Sequence, residues 1–332
     1  MSAAEIDTAY YLDSFLAPLA PFLSRKDVTD IWINRPGEVW FETLGGRIER
    51  QAVAGLDEKL LERLARQIAA MSSQGINRAQ PLLAATLPDG SRVQIAGPPA
   101  TRHGHAFAIR RHVSSDLALE DWEAENAFSG LAGEQTDISL DTDYRSLGPE
   151  EAPAILREVV LARKNILVSG GTSTGKTTFL NALLAKVPSQ ERLILIEDTE
   201  ELRLRHENAV GLIAARGELS EARVSAEDLL IAALRMRPDR IILGELRGAE
   251  AFTFLRAVNT GHPGSMTTIH ADSPRRAIEQ LALLVLQSGS RLARDDVRHY
   301  VRESVDVFVQ LARVGGQRKV TQVLLAERGG QS

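Results

Sequence analysis

The sequence predicts an α/β protein, with a domain built on a parallel sheet covered by helices and a smaller α+β domain ahead of it. Three observations carry this expectation. From about residue 149 onward, near-continuous apolar runs (Ile166-Leu167-Val168, Leu193–Ile196, Ile241–Leu243, Met266–Ile269) alternate with helical segments. Strands buried on both faces of a parallel sheet read this way. Residues 1–112 combine amphipathic helix with strands of hairpin type instead. Between the two, residues 113–148 hold nine acids (Asp116, Glu120, Asp121, Glu123, Glu125, Glu134, Asp137, Asp141, Asp143) against one base, Arg145. With Ser, Gly and little periodicity beyond a short helix near Trp122, that stretch reads as a solvated linker. The expected organisation is therefore 1–112, 113–148 and 149–332.

A chain of 332 residues suits two domains, and 44% hydrophobic with 25% charged residues is an ordinary globular composition. There is no cysteine, which excludes a disulfide framework and a zinc-thiolate site. Met1 to Asp13 carries acids and no basic segment, and no apolar run approaches the ~18 residues of a membrane span, so neither signal peptide nor spanning helix is expected. A net charge of -5 gives no general attraction to nucleic acid.

In the first domain, Tyr11, Leu12, Phe15, Leu16 and Leu19 recur at helical spacing until Pro21 breaks the run. Two strands follow, Asp30–Asn34 and Glu38–Glu42, turned by Arg35-Pro36-Gly37. Their Trp32 and Trp40 are read as core aromatics, the alternative being a stacking pair for bases. Asp57–Met71 is an amphipathic helix, with Leu60, Leu61, Leu64, Ile68 and Met71 on one face. A hairpin follows, Ala84–Leu87 and Arg92–Ile95 around Pro88-Asp89-Gly90, and then a strand at Ala106–Arg110. Arg92, Arg102, Arg110 and Arg111 make the end of this domain basic.

The second domain opens with a helix that has Glu150 and Glu151 at its positive end, Pro153 in its first turn and Arg163-Lys164 at its close. It feeds the strand at Ile166, which runs into Gly170-Gly171-Thr172-Ser173-Thr174-Gly175-Lys176-Thr177, a match to G-x-x-x-x-G-K-[ST]. Glycines let successive backbone N–H groups curl around an anion, and the N-terminus of the following helix adds its positive end. Lys176 supplies a mobile charge for the β/γ-phosphates, and the Thr177 hydroxyl is a hard oxygen ligand for Mg²⁺. Gly171, Thr172, Ser173, Thr174, Gly175, Lys176, Thr177 and Thr178 thus form the expected cradle of a nucleotide site. Further on, Ser225 and Asp228 make a capping box, and Glu250–Val258 is a helix closed by Gly261.

Parallel sheets bind ligands beyond the carboxyl ends of their strands. There the sequence places Glu197-Asp198-Thr199-Glu200-Glu201, then Gly244-Glu245-Leu246-Arg247, then His270-Ala271-Asp272. Phosphoryl transfer to water needs such an inventory: oxygens for a metal, a carboxylate to orient the water, and cations on the leaving charge. Spacing alone leaves open which carboxylate acts and whether His270 reacts or merely ends a strand. No cation for the γ-phosphate is evident in this domain, since Arg235 and Arg237 precede Pro238, away from the strand ends. The first domain's arginines, from the same chain or a neighbour, are the natural donors.

Together these residues resemble the secretion-motor ATPases, those of type IV secretion and conjugation with the type II secretion and pilus motors as relatives. Leu234–Pro274 looks like the family's Walker B and histidine boxes, Leu195–Leu202 like its acidic box, and Asp27–Trp40 and Gly90–Arg111 like its N-terminal domain. The short first domain and the absence of a cysteine zinc motif favour the type IV branch. The resemblance implies a RecA-like ATPase domain that uses ATP and Mg²⁺. Lys176 and Thr177 would hold phosphate and metal, with Glu245 in the Walker B place beside the metal. It makes Glu201 the water-activating base, sets His270 near the γ-phosphate, and has Arg92 and Arg110 reach the phosphates from the first domain. The Walker B strand ends in Gly-Glu and offers no aspartate, a departure from the general phosphate-loop pattern. The resemblance further implies a homohexameric ring at the cytoplasmic face of the inner membrane, docked on secretion-channel proteins, with no sequence-specific nucleic-acid binding. A type II secretion or pilus motor, a ring nucleic-acid translocase and a nucleotide-gated scaffold are the alternatives.

Overall fold

The computed structural model describes residues 12, 14–44, 46–72, 74–111, 117–131, 144–214 and 224–327. Its contacts resolve two compact units that part between Val113 and Ser114. No helix among the described residues is long and apolar enough to cross a membrane.

The first unit is a six-stranded antiparallel sheet in the order β3-β2-β1-β6-β5-β4, with β1 Val28–Ile33, β2 Glu38–Thr43, β3 Ile48–Ala52, β4 Leu82–Thr86, β5 Arg92–Ala96 and β6 Ala106–Arg110. Alternation sends Ile31, Ile33, Val93, Ile95, Phe107 and Ile109 to one face, where they are buried with Leu61, Leu64 and Ile68 of the helix Glu58–Met71. Asp57 caps that helix by accepting the Leu60 N–H at 2.8 Å. Two expectations need correcting. Pro21 does not end a helix; it sits in the first turn of the short helix α1, Ala20–Leu23, where its missing N–H costs nothing. Trp32 and Trp40 are not core aromatics: they face each other across β1 and β2, half-buried, on the face turned away from the core. The Arg50 guanidinium lies 5.8 Å from the Trp40 ring.

The second unit is built on an eight-stranded sheet in the order β10-β9-β11-β12-β8-β13-β14-β7. Its strands are β7 Tyr144–Ser146, β8 Ile166–Gly170, β9 Leu193–Glu197, β10 Ala209–Ile213, β11 Arg240–Leu246, β12 Met266–His270, β13 Val307–Val314 and β14 Gln317–Ala326. Those from β10 to β13 in that order run parallel; β14 and β7 add an antiparallel edge that apolar runs and spacing had not shown. Successive strand residues alternate between two cores, Leu167, Ile194, Ile196, Ile241 and Leu243 on one face, Ile166, Val168, Leu193, Leu195 and Ile242 on the other. Ala226–Ala233, Glu250–Asn259, Pro274–Gln287 and Arg294–Ser304 cover the first face, and Ala152–Leu161 and Lys176–Leu184 the second.

The acidic stretch departs from its expected role where it is described. Leu119, Trp122, Ala127, Phe128, Leu131 and Leu147 are buried in the second core, and Trp122 meets Phe179 edge-on at 5.0 Å between ring centroids. These residues are packed structure, not solvated linker. Composition misleads because the acids lie on the outer face, where Glu120 pairs with Lys186 at 2.5 Å and Glu123 with Arg157. The helix Leu119–Ala124 is also too short for its periodicity to register. Asp116, Glu134, Asp137, Asp141 and Asp143 lie outside the described residues.

Candidate active site

The site forms where β9, β11, β12 and β8 end side by side. Register puts Ile196 opposite Leu243 and His270 opposite Gly170, so the residues that follow each strand emerge at one edge. The loop leaving β8 then turns into the helix Lys176–Leu184. Gly175, its N-cap, has φ 92°, a conformation that favours glycine. A side chain at Gly170 would stand 2.9 Å from the Leu311 carbonyl oxygen, so the strand can turn this tightly only without one. Thr174 Oγ1 donates to the Gly171 carbonyl at 2.9 Å, and Lys176 Nζ donates to the carbonyls of Gly170 and Gly171 at 2.9 and 3.1 Å. Lys176, Thr177 and Thr178 occupy the first turn of the helix, where backbone N–H groups lack partners within the helix.

Two expected carboxylates meet this loop. Thr177 Oγ1 donates to Glu201 Oε2 at 2.7 Å, and Lys176 Nζ stands 3.7 Å from Glu245 Oε1. His270 ends β12 on the neighbouring strand with its side chain exposed. Lys176, Thr177, Glu201 and Glu245 are thus brought together, with His270 at the adjacent strand end. Arg92 and Arg110 belong to the first unit, where they stand directly opposite each other on β5 and β6, with Asp30 opposite Arg110 on β1.

Three further residues shape the site. Arg247 Nε donates to Glu245 Oε2 at 2.5 Å, and its Nη1 lies 3.3 Å from Asp198 Oδ2. Burial works against the Arg247 charge, but Glu245, then Asp198 and Glu201, outweigh it and hold the guanidinium charged. Arg247 is thus a charged group at the strand ends, held by carboxylates of the site. Asn181 donates to the Glu201 carbonyl at 3.1 Å and accepts the Arg203 N–H at 2.9 Å, tying the acidic loop to the helix. Its spacing from Thr177, one helical turn, was the available signal. Glu197 accepts the N–H groups of Glu201 and Leu202 at 2.9 and 2.7 Å. Burial pushes its pKa up to about 7, against those two hydrogen bonds, and the charges of Glu201 and Glu200 add to the rise.

The chain matches the family described as "Type II/IV secretion system protein" over residues 14–323. It is 40% identical over 326 residues to the type IV secretion system protein VirB11 of Bartonella quintana, covering 93% of this chain and 91% of that protein. To the type IV secretion system protein PtlH of Bordetella pertussis it is 39% identical over 326 residues, covering 96% and 95%. Among solved structures, the Legionella pneumophila ATPase DotB superposes with a TM-score of 0.62 at 17% identity, covering 97% of this chain and 81% of that one. The pilus retraction motor PilT with bound ADP gives 0.60 at 20%, covering 96% and 83%. At such identities the two share the fold, a phosphate-loop sheet preceded by a smaller domain. Matched by its family along most of its length, and about 40% identical to proteins of one secretion type, the chain belongs to the type II/IV secretion system protein family.

Proposed function

We propose that this chain hydrolyses ATP at the strand-end site and, as a homohexameric ring at the cytoplasmic face of the inner membrane, powers a type IV secretion system. The observation that carries the reading is the Thr177 hydroxyl on the Glu201 carboxylate at 2.7 Å, beside Lys176 and Glu245. It sets a carboxylate beside the hydroxyl of the phosphate loop, at the place where an attacking water would be oriented.

In this reading the backbone N–H groups from Gly171 to Thr178 hold the phosphates, and Lys176 leaves the loop carbonyls to follow the β- and γ-phosphates. Glu201 orients the attacking water and His270 lines the γ-phosphate side. Mg²⁺ fits the donor set. Thr177 and Glu245 present hard oxygens, and among the described residues no three acid or histidine side chains converge into a protein cage. That suits an ion that takes one or two protein oxygens and completes its shell with phosphates and water. When bound, it neutralises charge developing on the phosphates. Arg92 and Arg110 supply further positive charge to the phosphates, a role supported by the family resemblance.

The test is light scattering of the purified chain with Mg²⁺ and a non-hydrolysable ATP analogue, alongside phosphate release from ATP. A hexamer with turnover that Lys176→Ala abolishes is expected. A protein that stays monomeric under all nucleotide conditions, or a variant that still turns over, overturns the reading.

A further inference from the structure

Glu197 is the last residue of β9 and is 7% exposed, yet among the described residues it has no ion-pair partner. A carboxylate held in that way is costly, and an apolar residue would continue the strand Leu193–Ile196 at less expense. What the side chain does is local and specific. Its Oε1 accepts both the Glu201 N–H, at 2.9 Å, and the Leu202 N–H, at 2.7 Å, closing the chain from 197 to 202 into a tight loop. Leu202 anchors the far end of that loop in the core. With its N–H held by Glu197 and its carbonyl by Asn181, Glu201 has its backbone fixed on both sides. Its carboxylate then falls on the Thr177 hydroxyl.

We propose that Glu197 is a positioning residue for ATP hydrolysis: by binding the backbone of Glu201 and Leu202 it sets the Glu201 carboxylate against the phosphate loop. The inference rests on the reading of Glu201 as the residue that orients water. Glu197 acts through the backbone of Glu201, whose N–H it accepts. Charge is not what the role needs. An acceptor oxygen at this reach is, so glutamine serves where alanine does not.

Single-turnover ATP hydrolysis and binding of a fluorescent ATP analogue, measured on the full chain, test this with five variants. Glu197→Ala lowers turnover on the order of 10²-fold, the scale of a catalytic group misplaced by about an ångström, and leaves analogue affinity within about threefold. Glu197→Gln, which keeps the acceptor, restores most of the loss. In a Glu201→Ala background, Glu197→Ala has no further effect on turnover, because the group it positions is gone. The same loss in both backgrounds, a parallel loss of nucleotide affinity, or unchanged turnover in Glu197→Ala overturns the proposal while leaving Glu201 in its role. Wild-type turnover in Glu201→Ala overturns the reading of Glu201, and this proposal with it. Should Glu197→Ala not fold, Glu197→Asp decides, since it keeps the charge but falls one methylene short of the two N–H groups. A loss of more than about tenfold is expected, and wild-type turnover contradicts it.

Discussion

In the six-stranded sheet the charged residues form rows across neighbouring strands, Glu42, Asp30, Arg110 and Arg92 in succession, on the face away from the core. In the eight-stranded sheet they gather at and beyond the strand ends instead: Glu197 at the end of β9 and Glu201 after it, Glu245 and Arg247 at the end of β11, His270 at the end of β12. The difference follows from burial. An antiparallel sheet with one open face can display charge along its length, whereas strands buried on both faces can display it only where they stop. A parallel sheet therefore concentrates chemistry at an edge, and an antiparallel one spreads it over a surface. Two tryptophans repeat the contrast: Trp32 lies on the open face of the first sheet, while Trp122, from a stretch rich in acids, is wholly buried beside the second.

The largest effect expected of any substitution is at the edge itself. Lys176→Ala removes the charge that follows the phosphates and should cut steady-state phosphate release by about 10³-fold or more. Retained turnover would place the chemistry elsewhere. Next comes the tryptophan contrast. Trp122→Ala should lower stability by about 3–5 kcal/mol in chemical denaturation, and Trp32→Ala by about 1 kcal/mol or less. Equal costs would mean that the acidic stretch does not pack as described. Arg247→Ala removes a cation that Glu245 and Asp198 share and is expected to slow hydrolysis on the order of tenfold to a hundredfold. An unchanged rate would return the search for a cation wholly to the first unit.

The smallest effect is one of pH. The folded protein holds the Glu197 proton up to about pH 7, above the ordinary 4.5 of a glutamate. Its contribution to stability is thus complete below about pH 4.5 and lost as pH rises through about 7. The groups that set this are the burial of Glu197, its two backbone donors, and the charges of Glu201 and Glu200. Nucleotide-free wild type and Glu197→Gln should melt together at low pH, with wild type falling a few degrees behind as pH approaches 8. A constant gap across that range would show that Glu197 does not titrate there.

Much of the site was legible in the sequence because it follows strands that are themselves legible. Gly170 to Thr177 is a local motif, and Glu245 and His270 stand at the ends of apolar runs that could only be buried strands. What escaped depends on contacts across the chain. Glu197 reads like any acid at the end of a strand until its two backbone partners are seen, and Arg247 is a cation of the site only because Glu245 and Asp198 turn toward it. In the fold, β13 and β14 pair as a hairpin, and the residues from Leu119 to Leu131 bury an apolar face beneath a shell of acids. The helix Leu119–Ala124 is too short for its period to outweigh composition, whereas the hairpin's apolar run at Val307 and its Gly315-Gly316 turn were signals available in the sequence.

In the function proposed, Arg92 and Arg110 supply positive charge to the phosphates. Single-turnover hydrolysis of ATP by the full chain carrying Arg92→Ala and Arg110→Ala, with bound nucleotide measured in parallel, tests it most directly. Nucleotide affinity within about tenfold of wild type, with hydrolysis slowed on the order of 10²-fold, is the result predicted for cations that act on charge developing in the transition state. Hydrolysis at the wild-type rate would contradict it.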